Sequence, residues 1–215
     1  IGEEKKTNYA LQTQTKEEFI TAVTDGLSAP PQYFPINAKI NKEGYDSITE
    51  VLERGSTPLS VDDVKSYTSK GAIILDTRPA SQFTLGFVPD SIFVGLEGRF
   101  AEWAGSLLPF DKELILVCEE GKEKEAVTRL ARVGFSQIAG YLKGGVDAWK
   151  AAGEEPDMII DVEADELAMD LPFDENLVVV DVRRPAEYAD GHVKDAVDLP
   201  LNEMNDLVHL SQFEE

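Results

Sequence analysis

The sequence has little of the residues on which disulfide bonds and metal centres depend. It contains one cysteine, Cys118, and two histidines, His192 and His209, in 215 residues. A lone cysteine excludes a disulfide within the chain and is typical of a reducing compartment, so we expect a cytoplasmic protein. Two histidines and one cysteine do not make a metal site. We expect no cofactor, a hydrogen-bonding structural role for His192 and a surface position for His209.

Positive charge and long apolar runs are also scarce. The chain has 20 Lys and Arg residues against 41 Asp and Glu residues, which gives a net charge of −21. A protein of this charge is repelled by nucleic acid and by anionic membrane surfaces, so neither is an expected partner. No apolar run approaches the ~20 residues of a membrane span. Four of the first six residues are charged, so this segment does not form a secretory signal.

A repeated segment is the most informative feature that the sequence does contain. Residues 74–78 (ILDTR) and 179–183 (VVDVR) are each followed by an aromatic residue, a glycine, a valine and an aspartate at the same spacings. Asp181 lies 105 residues after Asp76, a usual size for one domain. Cys118 belongs to the first copy, and its counterpart in the second copy would lie beyond Glu215. The repeat predicts two related domains, the second ending before its chemistry.

Helices alternate with buried strands along the first copy. Residues 72–76 (AIILD) and 113–118 (ELILVC) are the apolar runs expected of buried parallel strands. Helices are predicted near 60–69, 99–107, 122–133 and 144–152. This alternation predicts an α/β fold with a parallel sheet.

The N-terminal region has a different pattern. A helix is predicted from Thr15 to Leu27, with Thr15 as its cap and Glu18 at the capping-box position. Residues 30–44 contain three prolines and no clear period, which predicts an extended segment. Residues 1–50 have too few apolar side chains to fold alone.

Cys118 is the first candidate for chemistry. In an open parallel α/β sheet, ligands bind beyond the carboxyl ends of the strands, where Cys118 lies. Residues 119–123 (EEGKE) follow it and lead into a predicted helix. Such a loop can wrap its backbone N–H groups around the sulfur, and the helix N-terminus favours a thiolate. The alternative is that a cysteine ending a core strand is buried filler.

Three features together resemble one family. The first is the Asp-x-Arg at a strand end, followed by an aromatic residue and a Gly-x-Val. The second is a strand that ends in a cysteine and leads through a loop into a helix. The third is residues 142–149 (LKGGVDAW) ahead of Gly153. This set resembles the rhodanese-like domain, a sulfurtransferase fold. The resemblance covers about 57–156 in full and the opening half of a second copy from Ile159. It implies a central parallel sheet flanked by helices, preceded by the N-terminal helix and extended segment.

The resemblance implies a role for the loop after Cys118. In an active member the thiolate takes up a sulfane sulfur as a persulfide, which the loop amides hold. The matching residues here are Cys118 as the persulfide carrier and, as its loop, Glu119, Glu120, Gly121, Lys122 and Glu123. Active loops commonly read Cys-x-x-Gly-x-Arg, and Glu123 stands where arginine is expected. Phe87 likewise stands where the second copy has His192.

The loop carboxylates disfavour both a thiolate and an anionic donor such as thiosulfate. We therefore expect a degenerate first copy, with weak or absent thiosulfate sulfurtransferase activity. A neutral or organic persulfide donor remains open.

The charged pairs at the two repeated strand ends have two interpretations. They are Asp76 and Arg78 in the first copy, and Asp181 and Arg183 in the second. They form either the rim of the site or internal ion pairs that anchor a loop. We favour ion pairs, because buried carboxylates are usually paired.

The N-terminal residues carry a second resemblance. Residues 1–11 and 31–41 are similar to the end of a metallo-β-lactamase-fold hydrolase. Some members of that superfamily are fused to rhodanese domains, as in the persulfide dioxygenase and hydroxyacylglutathione hydrolase-like group. The resemblance implies that 1–55 is the tail of such a domain with a linker, 56–157 a first rhodanese-like domain, and 158–215 the first half of a second. A metal is then expected only in a hydrolase domain that this sequence does not contain.

Two function hypotheses follow. The first is a rhodanese-like module of a metallohydrolase fusion that metabolises sulfane sulfur. Its partners would be a small sulfane-sulfur donor or persulfide and the hydrolase domain of the same chain; a homo-oligomer is left open. The second is a non-catalytic interaction or scaffolding domain with an inert Cys118. A rhodanese-like phosphatase is disfavoured, because Glu123 takes the place of the arginine that would bind phosphate.

Overall fold

The protein is described by a computed structural model, which covers residues 2–9, 12, 15–24, 33–44, 47–174 and 176–204. The chain divides into two compact units, Ile1–Pro31 and Gln32–Glu215. The predicted domain boundaries after residues 55 and 157 stay predictions. The predicted helix end at Leu27 and the expected surface position of His209 lie outside the described residues.

The first unit contains two short helices, α1 (Glu4–Thr7) and α2 (Lys16–Thr24). Helix α2 begins where the sequence predicts. The amide of Glu18 donates to Thr15 Oγ1 at 3.1 Å, and the amide of Thr15 donates to Glu18 Oε2 at 3.0 Å. These two bonds form a capping box, which satisfies amides that the first helical turn leaves without partners.

The second unit begins with a helix, α3 (Tyr33–Glu43), so the predicted extended segment was wrong for these residues. Pro35 is the third helical residue, where a missing N–H breaks no intrahelical bond. Tyr33, Ile36 and Ile40 follow a helical spacing, but the prolines obscured it. Tyr33 packs on Gly105, and the two isoleucines pack on Gly134. The helix therefore owes its place to packing onto the domain that follows.

Residues 48–151 contain the first copy and the helix that precedes it. Its elements, in chain order, are α4 (Ile48–Gly55), β1 (Pro58–Leu59), α5 (Val61–Thr68), β2 (Ile73–Asp76), α6 (Ala80–Phe83), β3 (Ile92–Phe93), α7 (Phe100–Leu107), β4 (Leu114–Val117), α8 (Glu123–Arg132), β5 (Ile138–Leu142) and α9 (Gly145–Ala151). The five strands form one parallel sheet in the order β1-β5-β4-β2-β3. The predicted α/β fold with a central parallel sheet flanked by helices is confirmed.

Strand β4 is the centre of this sheet, and all four of its residues are fully buried. Leu114 and Leu116 face one core cluster, while Ile115 and Val117 face the other. Each buried aliphatic side chain contributes about 1.5–3 kcal/mol. Because both faces of β4 are packed, the position of the next residue, Cys118, is tightly fixed.

The second copy repeats the opening of the first. It contains α10 (Ala164–Asp170), β6 (Val180–Asp181), α11 (Pro185–Asp190) and β7 (Val197–Asp198). Strand β6 pairs with β7 in parallel, as β2 pairs with β3. A turn residue repeats as well, since Asp90 and Asp195 both have left-handed backbones, with φ of 62° and 63°. In the described part of the chain, no helix is long and apolar enough to cross a bilayer.

Candidate functional site

Cys118 directly follows β4 and is a free, partly buried thiol. Strand β2 lies beside β4 with Asp76 opposite Val117, so Thr77, the residue after β2, lies beside Cys118. The Thr77 hydroxyl is 3.3 Å from Cys118 Sγ and 3.2 Å from the Val117 carbonyl oxygen. Its single proton serves one of these acceptors at a time. A buried hydroxyl is thus in place to stabilise a thiolate.

The surroundings keep the thiol protonated. The pKa of Cys118 is raised to about 12, mainly by burial; the Thr77 hydroxyl acts in the other direction, and the charges of Glu123 and Asp76 contribute to the rise. Removing a charged group from water disfavours its ionised form, and nearby carboxylates do the same to a thiolate. Near neutral pH, Cys118 is therefore almost entirely a neutral thiol in the resting protein.

The loop after Cys118 contains a hydrogen bond to the side chain of Glu123. Gly121 has a left-handed backbone with φ of 84°, which glycine adopts without strain. The amide of Lys122 donates to the Glu119 carbonyl at 3.0 Å. The amide of Gly121 donates to Glu123 Oε1 at 3.2 Å. Glu123, the first residue of α8, thus accepts a hydrogen bond from a loop amide. The family resemblance implies that the loop amides hold a persulfide.

Cys118 opens on a cleft of about 630 Å³. The lining comes from three places in the fold: the end of β2 with α6, the loop after β4, and the β5–α9 connection. The lining residues are Arg78, Gln82, Cys118, Glu119, Glu120, Glu123, Tyr141, Leu142, Lys143, Gly144, Gly145, Val146 and Asp147. The cleft carries four carboxylates against one lysine and one arginine.

Asp76 and Arg78 form a buried clasp beside this cleft. Arg78 Nη2 donates to Asp76 Oδ2 at 2.6 Å and to the Gly86 carbonyl at 2.8 Å. The Asp76 side chain is fully buried, and that of Arg78 is 11% exposed. The clasp fixes the loop between α6 and β3, while Arg78 also lines the cleft. Arg78 is therefore both loop anchor and part of the rim.

The second copy has the same clasp in a more open setting. Arg183 Nη2 donates to Asp181 Oδ2 at 2.6 Å and to the Gly191 carbonyl at 2.7 Å. The hydrogen bonds from Arg183 hold the pKa of Asp181 below its ordinary value. The Arg183 side chain is 46% exposed, and the pair does not line the cleft at Cys118. Of the four charged residues, the structure brings Asp76 and Arg78 to the cysteine.

Two residues near the cysteine were not predicted. Thr77 contacts the sulfur, and Gln82 Nε2 donates to Glu119 Oε1 at 2.9 Å, which holds one wall of the loop. Thr77 was detectable in principle, because it follows the strand next to the one that ends at Cys118. Gln82 gave no signal, since a glutamine on a four-residue helix has no pattern of its own.

Three other predicted residues have structural roles. His192 Nδ1 lies 2.9 Å from the Tyr188 carbonyl oxygen, and its ring stacks on Tyr188, as predicted. Trp149 is buried in a core cluster. Phe87, the counterpart of His192, stacks on Phe83 with 4.2 Å between ring centroids. The described residues contain no group of three metal-ligating side chains.

Comparisons with known proteins place the chain in a family. The family model of the rhodanese-like domain matches residues 60–152 and 163–214, which together make up more than half of the chain. The chain belongs to the rhodanese-like domain family, with two segments of that family in tandem. The predicted resemblance to this family is confirmed for both copies.

Individual proteins are similar to parts of the chain. The thiosulfate sulfurtransferase GlpE of Pseudomonas savastanoi pv. phaseolicola (strain 1448A / Race 6) is 28% identical over 91 residues, which are 42% of this chain and 83% of that protein. A Rhodanese_3 like domain of the Alr3790 protein from Anabaena sp. is 25% identical, with a TM-score of 0.40, and the match covers 44% of this chain and 99% of that one.

A longer solved structure is also similar. A metallo-beta-lactamase from Staphylococcus aureus subsp. aureus COL is 26% identical to this chain, with a TM-score of 0.50. The match covers 65% of this chain but 37% of that structure, so the chain spans little more than a third of that protein's length.

Proposed function

We propose that Cys118 carries a sulfane sulfur as a persulfide, and that the protein is a sulfurtransferase-type module with weak or absent activity towards thiosulfate. The observation that carries this proposal is the position of a free thiol at the carboxyl end of the central strand. It opens on a cleft and has the Thr77 hydroxyl at its sulfur. Such an arrangement suits a nucleophile that must be reached by a small molecule.

The proposed transfer has two steps. The Cys118 thiolate attacks the outer sulfur of a donor R–S–SH, a new S–S bond forms, the donor's S–S bond breaks, and RS⁻ leaves with the electron pair. A second thiolate then attacks the outer sulfur on Cys118 and restores the free cysteine. The Thr77 hydroxyl stabilises the thiolate by donating its proton to Sγ.

Thiosulfate is a poor donor for this site, because it is a dianion. It would enter a cleft in which Glu119, Glu120, Glu123 and Asp147 outnumber the cationic side chains. Each carboxylate within a few ångströms opposes its approach. A neutral or organic persulfide avoids that repulsion, so we propose such a donor.

One observation favours a second candidate function, an interaction domain with an inert cysteine. The pKa of Cys118 is raised to about 12, so little thiolate exists at neutral pH. A cysteine of this kind reacts slowly unless its donor stabilises the thiolate on binding.

Mass spectrometry distinguishes the two candidates. The protein is incubated separately with glutathione persulfide and with thiosulfate, and Cys118→Ser serves as the matched control. We expect one added sulfur on Cys118 from the persulfide, little from thiosulfate, and none in the variant. No adduct from either donor would leave the interaction domain as the function.

We further propose that the module works in a polypeptide that also contains a metallo-β-lactamase fold. The similarity to the Staphylococcus aureus metallo-beta-lactamase structure supports this, as does the resemblance of residues 1–11 and 31–41. Sequencing the reading frame on both sides of the 215 codons tests it. A frame that encodes no such fold would refute this part of the proposal and leave the role of Cys118 untouched.

A further inference from the structure

We infer that the carboxylate of Glu123, which accepts from the Gly121 amide, makes the Cys118 cleft select a sulfur donor with a cationic carrier, such as a small aminothiol. This inference rests on the proposed function and specifies its substrate class. It assigns to Glu123 the role of a specificity-determining residue.

The geometry of Glu123 carries the first step. Its Oε1 accepts from the Gly121 amide at 3.2 Å, at the point where the loop turns into α8. An amide at a helix N-terminus attracts negative charge, so it would otherwise help to bind an anionic donor. With a carboxylate from its own chain on that amide, an incoming anion has to displace Glu123 and also meets its charge.

The other walls of the cleft carry the second step. Glu119 is held by Gln82, and Glu120 and Asp147 add two further carboxylates. The charge of Arg78 is matched by the buried Asp76. The other cation in the lining is Lys143. The potential around the thiol is therefore negative on several sides, which raises the local concentration of small cations.

A cationic carrier also offsets the raised pKa of Cys118. Positive charge beside Cys118 opposes the effects of Glu123 and Asp76 and so favours the thiolate when the donor is bound. An ammonium group next to the donor's own sulfur stabilises the thiolate that leaves, and a thiol of lower pKa leaves faster. The volume of about 630 Å³ is within the range of small-molecule sites, so a small aminothiol fits.

Thiol–disulfide exchange with a charge series tests the inference on the full chain. The probes are cystamine (cationic), bis(2-hydroxyethyl) disulfide (neutral) and 3,3′-dithiodipropionate (anionic). In each case the Cys118 thiolate attacks one disulfide sulfur, a mixed disulfide forms, and the other half leaves as a thiolate. All three rates are proportional to the thiolate fraction of the free protein, so that fraction cancels from the ratios of the rates. Each rate is divided by the rate at which N-acetylcysteine amide reacts with the same probe, which removes the intrinsic reactivity of that probe.

We expect a normalised preference for cystamine over the dianionic probe of at least about tenfold at low salt. Glu123→Gln is expected to reduce that preference about fivefold, mainly by speeding the anionic probe, since the oxygen on the Gly121 amide is then neutral and an anion displaces it more easily. Glu120→Gln removes the same charge from the same loop without touching that amide, and its effect is expected to be smaller. Circular dichroism checks that each variant is folded.

The outcomes separate this inference from the proposed function. Reaction of Cys118 without charge preference, or equal effects of Glu123→Gln and Glu120→Gln, would overturn the inference and leave a sulfur-carrying Cys118 in place. No reaction with any probe, while N-acetylcysteine amide reacts normally, would overturn both.

Discussion

A single thiol combines two properties that rarely go together. Cys118 is at the position where the fold presents a nucleophile, yet burial and two carboxylates raise its pKa to about 12. The Thr77 hydroxyl is the one group in that set that favours the thiolate. The reactivity of the site is therefore set by three side chains, Asp76 and Thr77 at the end of β2 and Glu123 at the start of α8, and single substitutions should change it measurably.

The raised pKa predicts a pH dependence of stability. Between the ordinary value of 9.0 and about 12, the folded protein keeps a proton that the unfolded chain loses. Stability from this source is complete below pH 9 and is lost as the pH rises towards 12, at up to about 1.4 kcal/mol per pH unit. In urea unfolding between pH 8.5 and 10.5, wild type should lose about 1–2 kcal/mol more than Cys118→Ala. Parallel losses in the two proteins would contradict the raised pKa.

A charge reversal at the loop predicts a gain of reactivity. Glu123→Arg removes a carboxylate that raises the pKa of Cys118 and restores the residue that active loops commonly have. Persulfide formation from thiosulfate should rise by about tenfold or more, and the pKa of Cys118 should fall. Glu123→Gln is the intermediate control, and cyanide-dependent thiocyanate formation is the assay. Unchanged, negligible activity would mean that the shape of the loop, not its charge, limits the reaction.

At the scale of the secondary-structure elements, the two clasps offer an internal comparison. The same aspartate, arginine and glycine carbonyl make the same bonds in both copies. They differ in burial, since Arg78 is 11% exposed and Arg183 is 46% exposed. The local sequence determines the geometry of the clasp, and burial by the surrounding elements determines how much the clasp contributes to stability.

We expect Asp76→Asn to be far more destabilising than Asp181→Asn. The first substitution leaves a buried guanidinium without its counter-charge, which costs about 3 kcal/mol or more. The second leaves a solvated arginine, whose charge water can stabilise. Urea unfolding of the two variants, monitored by near-UV absorption and circular dichroism, measures the difference. Similar losses in the two variants would show that burial does not decide the strength of the clasp.

The elements also show what the sequence could predict. Strands β2 and β4 were predicted because a strand packed on both faces leaves a continuous apolar run. Helix α3 was missed because prolines dominated the pattern of residues 30–44. Helix α4 was missed because half of it is polar, although Val51 is buried in the core against α8. Both helices owe their stability to tertiary packing, which no local pattern contains.

The candidate site was predictable to a similar extent. Strand ends and a turn-forming glycine placed Cys118 and its loop correctly beside a helix start. The contact of Thr77 with the sulfur depends on strand register, and that of Glu123 with the Gly121 amide depends on a side-chain rotamer. Register and rotamer are set by packing, so these contacts needed the structure.

For the whole molecule, the two copies differ in how well their strands are covered. Strand β2 lies between β3 and β4, and its Leu75 is fully buried. In the described residues, β6 pairs with β7 alone, and the neighbouring Val178 and Val182 are 56% and 42% exposed. The first copy therefore contains most of the cooperative core.

Native-state hydrogen exchange should reveal this difference. Amides of β2 and β4 are expected to exchange through global unfolding, while those of β6 and β7 exchange through local opening. A difference in exchange rate of about a hundredfold or more is expected, because each 1.4 kcal/mol of opening free energy corresponds to a factor of ten. Exchange followed by mass spectrometry of peptic fragments measures it. Equal protection in the two copies would show that they unfold together.

The repeated left-handed aspartate bears on the history of the gene. Asp90 and Asp195 hold the same unfavourable backbone conformation, 105 residues apart, although the residues between clasp and turn have diverged. A non-glycine residue in this conformation carries a cost of about 1 kcal/mol, so unrelated segments have no reason to share it at matching positions. The shared turn therefore indicates that the two copies descend from one domain family, and the same family model matches both segments.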